Sequence, residues 1–223
     1  MEYLPSEGLS DDDEDNGIKV ILIGDSGVGK TNLINTCAGL EFVEGKNPTI
    51  SGSFIEKIIE INNEKYEVNL WDTAGQEAYR GVTKLFFRGS NIVLLVYDIT
   101  SNLTFKSLEE WAKTCKEIIT EKFIFGIVGN KNDLYLDMKV TDEEVKAFAE
   151  TINSKFKLVS AKTDPQGFTD FLTELVIDFI NINKEGNEQE KKNIKLDNNN
   201  NNDNNNNNKH RCFGWFSQFF KKK

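Results

Sequence analysis

From Ile18 to about Asn183, short apolar runs alternate with amphipathic stretches, the order expected of strands and helices in an α/β domain. The segments Lys19 to Ile23, Asn91 to Tyr97 and Phe123 to Val128 are nearly unbroken in apolar residues. Such runs predict core strands whose two faces are both covered by helices, and hence a mostly parallel sheet. Phe54 to Ile61 and Lys65 to Trp71 differ, because only the polar turn Asn62, Asn63, Glu64 separates them. That spacing is too short for a crossover helix and predicts an antiparallel hairpin. A last strand near Phe156 to Val159 and a closing helix from about Gly167 to Asn181 complete six strands, one of them antiparallel, with helices on both faces.

The ends follow other rules. Residues 1–16 are polar and acidic without periodicity and are expected to be a disordered extension. Residues 17–183 form the folded domain. Residues 184–208 turn from charged to almost pure asparagine and are expected to be an unstructured linker. A random coil of that length spans roughly 25 to 30 Å. Residues 209–223 are abruptly aromatic and basic.

Composition narrows the classes. The 223 residues, 38% hydrophobic, suffice for one full core plus tails. A net charge of -9 argues against nucleic acid as a partner of the body, since phosphate binding leaves a basic footprint. Cys37, Cys115 and Cys212 lie far apart and fit neither a disulfide framework nor a metal-ligand spacing, which points to a reducing, cytosolic compartment. The run Asp11 to Asp15 stands where a secretory signal carries basic and apolar residues, and no segment is apolar for long enough to span a bilayer.

Four separated segments carry the chemistry. Gly24-Asp25-Ser26-Gly27-Val28-Gly29-Lys30-Thr31 satisfies G-x-x-x-x-G-K-[ST] between a predicted strand and a predicted helix. Its glycines let backbone N–H groups converge on phosphates, Lys30 meets the β- and γ-phosphates, and the Thr31 hydroxyl suits Mg²⁺. The nucleotide is expected against Asp25, Ser26, Gly27, Val28, Gly29, Lys30, Thr31 and Asn32. In Asp72-Thr73-Ala74-Gly75-Gln76-Glu77, Asp72 is a candidate metal carboxylate, Gly75 turns its N–H toward a γ-phosphate, and Gln76 orients an attacking water. Asn130-Lys131-Asn132-Asp133 follows a core strand, where an aspartate accepts from both N1–H and the amino group of guanine. Adenine would leave Asp133 desolvated and unpaired. Ser160-Ala161-Lys162 adds a backbone N–H for the guanine O6. A metabolic kinase with the same phosphate loop has no use for a guanine-reading aspartate.

In order and spacing these segments resemble a Ras-superfamily small GTPase with the P-loop NTPase fold, over about residues 18–182. Rab is the branch most similar, through Trp71 to Glu77, Phe86-Phe87-Arg88-Gly89-Ser90 and Val96-Tyr97-Asp98-Ile99-Thr100. The resemblance implies that Thr49, in Pro48-Thr49-Ile50, reaches Mg²⁺ beside Thr31 and Asp72 only in the GTP form, and that Phe42 lies edge-on against the guanine. It also implies that Gln76, Lys30, Gly75 and Thr49 carry catalysis, that loops 43–53 and 74–86 are ordered by the γ-phosphate, and that hydrolysis releases them. An exchange factor, an activating protein and effectors are the implied partners, through residues 43–54 and 71–88 and the aromatics Phe54, Trp71 and Phe86. The implied place is the cytosol and the cytoplasmic face of intracellular membranes. A partner-binding scaffold locked on its nucleotide is a rival reading, which predicts loss of Thr49 or Gln76; both are present.

Two stretches depart from the family. Ile50-Ser51-Gly52-Ser53-Phe54 lacks the acidic residue usual in Rabs at this point. The chain also has Cys212 in place of the paired prenylation cysteines. Near it, Phe213, Trp215, Phe216, Phe219 and Phe220 with Lys209, Arg211, Lys221, Lys222 and Lys223 form a candidate membrane-surface segment.

Overall fold

A computed structural model describes residues 17–45, 53–73 and 86–200. The acidic extension 1–16, the loop residues Thr49, Gly75 and Gln76, and the tail 209–223 lie outside the described residues. Within them the chain runs β1 (Ile18–Ile23), α1 (Lys30–Cys37), β2 (Ser53–Ile61), β3 (Glu64–Asp72), β4 (Ile92–Asp98), α2 (Asn102–Ile118), β5 (Ile124–Asn130), a 3₁₀ helix (Asn132–Asp137), α3 (Asp142–Thr151), β6 (Lys155–Leu158) and α4 (Pro165–Asn200).

The strands form one six-stranded sheet in the order β2-β3-β1-β4-β5-β6. Every pairing is parallel except β2 with β3. The hairpin is tighter than the sequence suggests: Ile61 pairs with Glu64, so the turn is Asn62 and Asn63 alone. Both take positive φ, 53° and 65°, the backbone of a two-residue turn whose twist matches the flanking strands. Asparagine tolerates that region better than other residues with a β-carbon.

Alternation along β1 divides the interior. Val20 and Leu22 face one cluster with Leu33, Ile34 and Cys37 of α1 and Phe168, Phe171, Leu172 and Leu175 of α4. Ile21 and Ile23 face the other, with Leu108, Trp111 and Cys115 of α2 and Val145 and Ala149 of α3. Because both faces are covered, β4 is buried at every position and reads as a continuous apolar run. Each fully buried aliphatic side chain contributes about 1.5–3 kcal/mol.

The helices start where their sequences say. Thr141 and Glu144 form a reciprocal capping box at α3. At α4 the Asp164 Oδ1 accepts from the Gly167 N–H at 2.9 Å, and Pro165 occupies the first turn, where its missing N–H costs nothing. The far end of α4 differs from expectation. The helix, expected to close near Asn181, runs as Pro165–Asn200, so residues 184–200 of the expected unstructured linker have helical backbone. Lys184 to Lys195 is rich in Lys, Glu and Gln, good helix formers by intrinsic propensity. The chain divides into two units between Ile182 and Asn183.

Candidate functional site

Loops at the carboxyl ends of β1, β3, β5 and β6 converge on a cavity of about 440 Å³. That is within the size range of small-molecule sites, and the carboxyl edge of an open parallel sheet is where such sites form.

The loop between β1 and α1 is shaped by two close approaches. A β-carbon on Gly24 would sit 2.1 Å from the Val96 carbonyl oxygen, so this residue must be glycine for the loop to leave β1 against β4. At Gly29, with φ of +98°, a β-carbon would come within 2.3 Å of the Asn130 amide nitrogen. The loop then curls around its own lysine. Lys30, only 5% exposed, donates from Nζ to the carbonyls of Gly24 at 2.8 Å and Asp25 at 3.0 Å. Burial lowers the Lys30 pKa to about 8, against the opposing pull of the Asp72 and Asp25 carboxylates. An anion brought into the cavity would stabilise the charged ammonium.

Beside it the Thr31 hydroxyl donates to Asp72 Oδ2 at 2.7 Å. Hard oxygen donors from α1 and from the end of β3 therefore meet at one point, a pair suited to Mg²⁺. Among the described residues no group of three or more His, Cys, Asp or Glu side chains converges as a metal site. Thr73, just after β3, donates to the Leu22 carbonyl at 2.6 Å and so ties the end of β3 to β1.

The other end of the cavity hangs on Asn130. This residue is 2% exposed; its Nδ2 donates to the Val28 carbonyl at 2.8 Å and its Oδ1 accepts from the Ala161 N–H at 3.1 Å. One side chain thus ties the phosphate loop, the end of β5 and the loop after β6. Asp133 is fixed in turn by Ser160, whose hydroxyl donates to Oδ1 at 2.6 Å while accepting from the N–H groups of Lys162 and Thr163. Lys131 adopts left-handed backbone with φ of 69° and pairs with Asp98 Oδ2 at 2.6 Å. Burial of the Asp98 carboxyl raises its pKa, but hydrogen bonds from Lys131 and Thr100 outweigh that and hold it below the ordinary value. Lys162 also sits 6.0 Å above the Phe42 ring and 3.7 Å from Glu44.

Of the residues singled out in the sequence, Ser26, Gly27, Gly29, Lys30, Thr31, Asn32, Phe42, Asn130, Lys131, Asp133, Ala161 and Lys162 line the cavity. The Asn32 amide is engaged with the Val43 backbone, so it holds the Phe42 segment to α1. Four others stand behind the wall. Val28 is buried in the core, Ser160 supports Asp133, Asp72 backs Thr31, and Asp25 turns away to α2. Thr49, Gly75 and Gln76 lie outside the described residues. Thr73 and Leu134 line the cavity without having been singled out. Asp98 was missed as well: it lies within a quoted stretch, but nothing in one sequence pairs it with Lys131.

The comparisons decide the family. The model described as "Ras family" matches residues 19–180, which contain every segment of the cavity.

The chain belongs to the Ras family.

Relatives include the Ras-related protein Rab11B of Nicotiana tabacum, 39% identical over 169 residues, covering 74% of this chain and 78% of the relative. The Ras-related protein RABA1g of Arabidopsis thaliana is 41% identical over 152 residues, 68% of this chain and 70% of that one. The Ras-related protein Rab-11C of Dictyostelium discoideum is 39% identical over 160 residues, 70% and 71% of the two chains. As a Ras-family member close to the Rabs, it is a small GTPase that hydrolyses GTP to GDP and phosphate. The observed sheet, mostly parallel with one antiparallel strand, is that of the family's P-loop fold.

Replacing Asn130 with Ala strands the Val28 carbonyl and the Ala161 N–H in a buried site. The expected outcome is a loss of about 1–3 kcal/mol of stability and about tenfold faster nucleotide release. Denaturant unfolding and displacement of a fluorescent GDP analogue measure the two.

Proposed function

We propose that this chain is a Rab-type switch that binds GDP and GTP through the cavity between Gly24 and Lys162 and regulates intracellular vesicle traffic through effectors that recognise its GTP form. The observation that carries the guanine assignment is the Asp133 carboxylate at the cavity wall, oriented by the Ser160 hydroxyl at 2.6 Å. A fixed acceptor suits the adjacent N1–H and amino donors of guanine, and adenine would leave it buried and unpaired. Phe42 and Lys162 flank the base position, the Ala161 N–H donates to Asn130 Oδ1 beside it, and Lys131 borders the same end.

At the phosphate end, Asp25 to Asn32 surround the phosphates, with Lys30 as the buried cation. Thr31, Asp72 and Thr49 would hold a magnesium ion, which when bound neutralises charge on the β- and γ-phosphates. Gln76 orients the attacking water by donating and accepting through its amide, and the Gly75 N–H meets the γ-phosphate. Thr49 and Gly75 lose these contacts once the γ-phosphate leaves, which relaxes loops 43–53 and 74–86. No described residue places an arginine at the γ-phosphate position, so an activating protein is expected to supply one, and an exchange factor to release GDP.

Effector docking falls on residues 43–54 and 71–88. Support comes from an aromatic surface: Phe54, 56% exposed, stacks on Trp71 at 5.1 Å, and Trp71 meets Phe86 at 5.7 Å. The protein works in the cytosol and on the cytoplasmic face of intracellular membranes. No helix among the described residues is long and apolar enough to cross a membrane. Attachment is assigned to residues 209–223, where each cation near an anionic leaflet contributes about 1 kcal/mol and aromatic rings favour the headgroup boundary.

Gln76→Leu is expected to slow single-turnover GTP hydrolysis about tenfold or more without weakening GTP binding. A wild-type chain that holds GTP without hydrolysing it would instead be the nucleotide-locked scaffold. For the tail, anionic liposomes should co-sediment the full chain, while a chain ending at residue 208 should stay in the supernatant. Equal sedimentation of the two would remove the membrane role.

A further inference from the structure

The phosphate loop carries a negative charge of its own, and the structure shows what is done with it. Asp25 lies between Gly24 and Lys30, whose Nζ donates to its carbonyl at 3.0 Å, yet its side chain does not line the cavity. Both carboxylate oxygens are taken by α2, 82 and 86 positions further along the chain. Ser107 Oγ donates to Oδ2 at 2.6 Å, and Trp111 Nε1 donates to Oδ1 at 3.1 Å. Trp111 is buried and packed in the cluster between α2 and the sheet, so its N–H is aimed by the core. Ser107 and Trp111 are four residues apart, which sets them one above the other on a single face of the helix.

A carboxylate in a loop that receives phosphates repels the ligand if it turns inward, and it competes for the loop's only buried cation. Its field already reaches Lys30, where it opposes the effect of burial. Two donors on one helix remove both problems by holding the carboxylate outward. The same face extends one turn back to Thr104, whose hydroxyl accepts from the Asp98 N–H at 3.1 Å, and Asp98 holds Lys131. Helix α2 therefore backs the phosphate end and the base end of the cavity together.

We propose that Ser107 and Trp111 are positioning residues that hold the Asp25 carboxylate off the β-phosphate position beside Lys30, and so set the affinity for the phosphates beyond the first independently of the base. The proposal rests on the cavity being the guanine-nucleotide site. Neither residue touches the nucleotide; both act through Asp25.

The test uses the full-length protein with Ser107→Ala and Trp111→Phe combined, which removes both donors and keeps an aromatic ring in the core. The readouts are affinities for GDP, GMP and ADP by competition, with thermal unfolding as a control. GDP affinity should fall about tenfold while GMP affinity and the preference for GDP over ADP stay unchanged. Adding Asp25→Ala to that pair should restore GDP affinity, because no carboxylate is left to swing inward. Ser107→Thr, which keeps the hydroxyl, should bind GDP as the wild type does. Equal losses for GDP and GMP, or no recovery on adding Asp25→Ala, would show a merely structural tie and overturn the proposal. A wild-type protein without preference for GDP over ADP would instead overturn the base assignment on which it rests.

Discussion

The geometry of this site depends on one buried amide. Asn130 leaves β5 with its donor and its acceptor both spent inside the protein, on the Val28 carbonyl and the Ala161 N–H. Those partners lie 102 and 31 residues away, in loops that would otherwise be free to drift. An amide in this position cannot be exchanged for an apolar group of similar size, because two buried backbone groups would lose their partners at once. It also explains Gly29, since any side chain there would occupy the space of the Asn130 amide. Phosphate loop and base loops are thereby tied to each other through one side chain.

A second constraint is electrostatic. The cavity must attract a polyanion, yet Asp25, Asp72, Asp98 and Asp133 all stand at or behind its wall. Each carboxylate has a partner in the protein: Asp25 on α2, Asp72 in Thr31, Asp98 in Lys131 and Thr100, and Asp133 in Ser160. Lys30 faces the phosphate position in a desolvated setting that already lowers its pKa, which makes the arrival of a counter-charge more favourable than it would be in water. The acids around the cavity are directed toward partners of their own and not excluded.

Much of this was legible in the sequence because it is local. Unbroken apolar runs gave away β1, β4 and β5 since both faces of the sheet are covered, and the shortness of the polar turn after Ile61 announced the hairpin because no crossover helix fits in it. The phosphate loop and Asn130 to Asp133 were legible through spacing alone. What escaped was non-local or marginal. Only the fold brings Ser107 and Trp111 to the Asp25 carboxylate. Asp98 escaped for the same reason. The end of α4 was misjudged because the residues after Asn181 have helical propensity without apolar periodicity, and periodicity was the signal used.

The central claim is that a carboxylate held by Ser160 reads guanine. Asp133→Asn replaces half of an acceptor pair with a donor, which opposes the guanine N1–H and amino groups but suits xanthine, whose carbonyl stands where the amino group was. Affinities of the variant for GDP and for xanthosine diphosphate, set against the wild type, test it most directly. The account predicts that GDP weakens about a hundredfold or more while xanthosine diphosphate gains. An unchanged preference for GDP in the variant would contradict it.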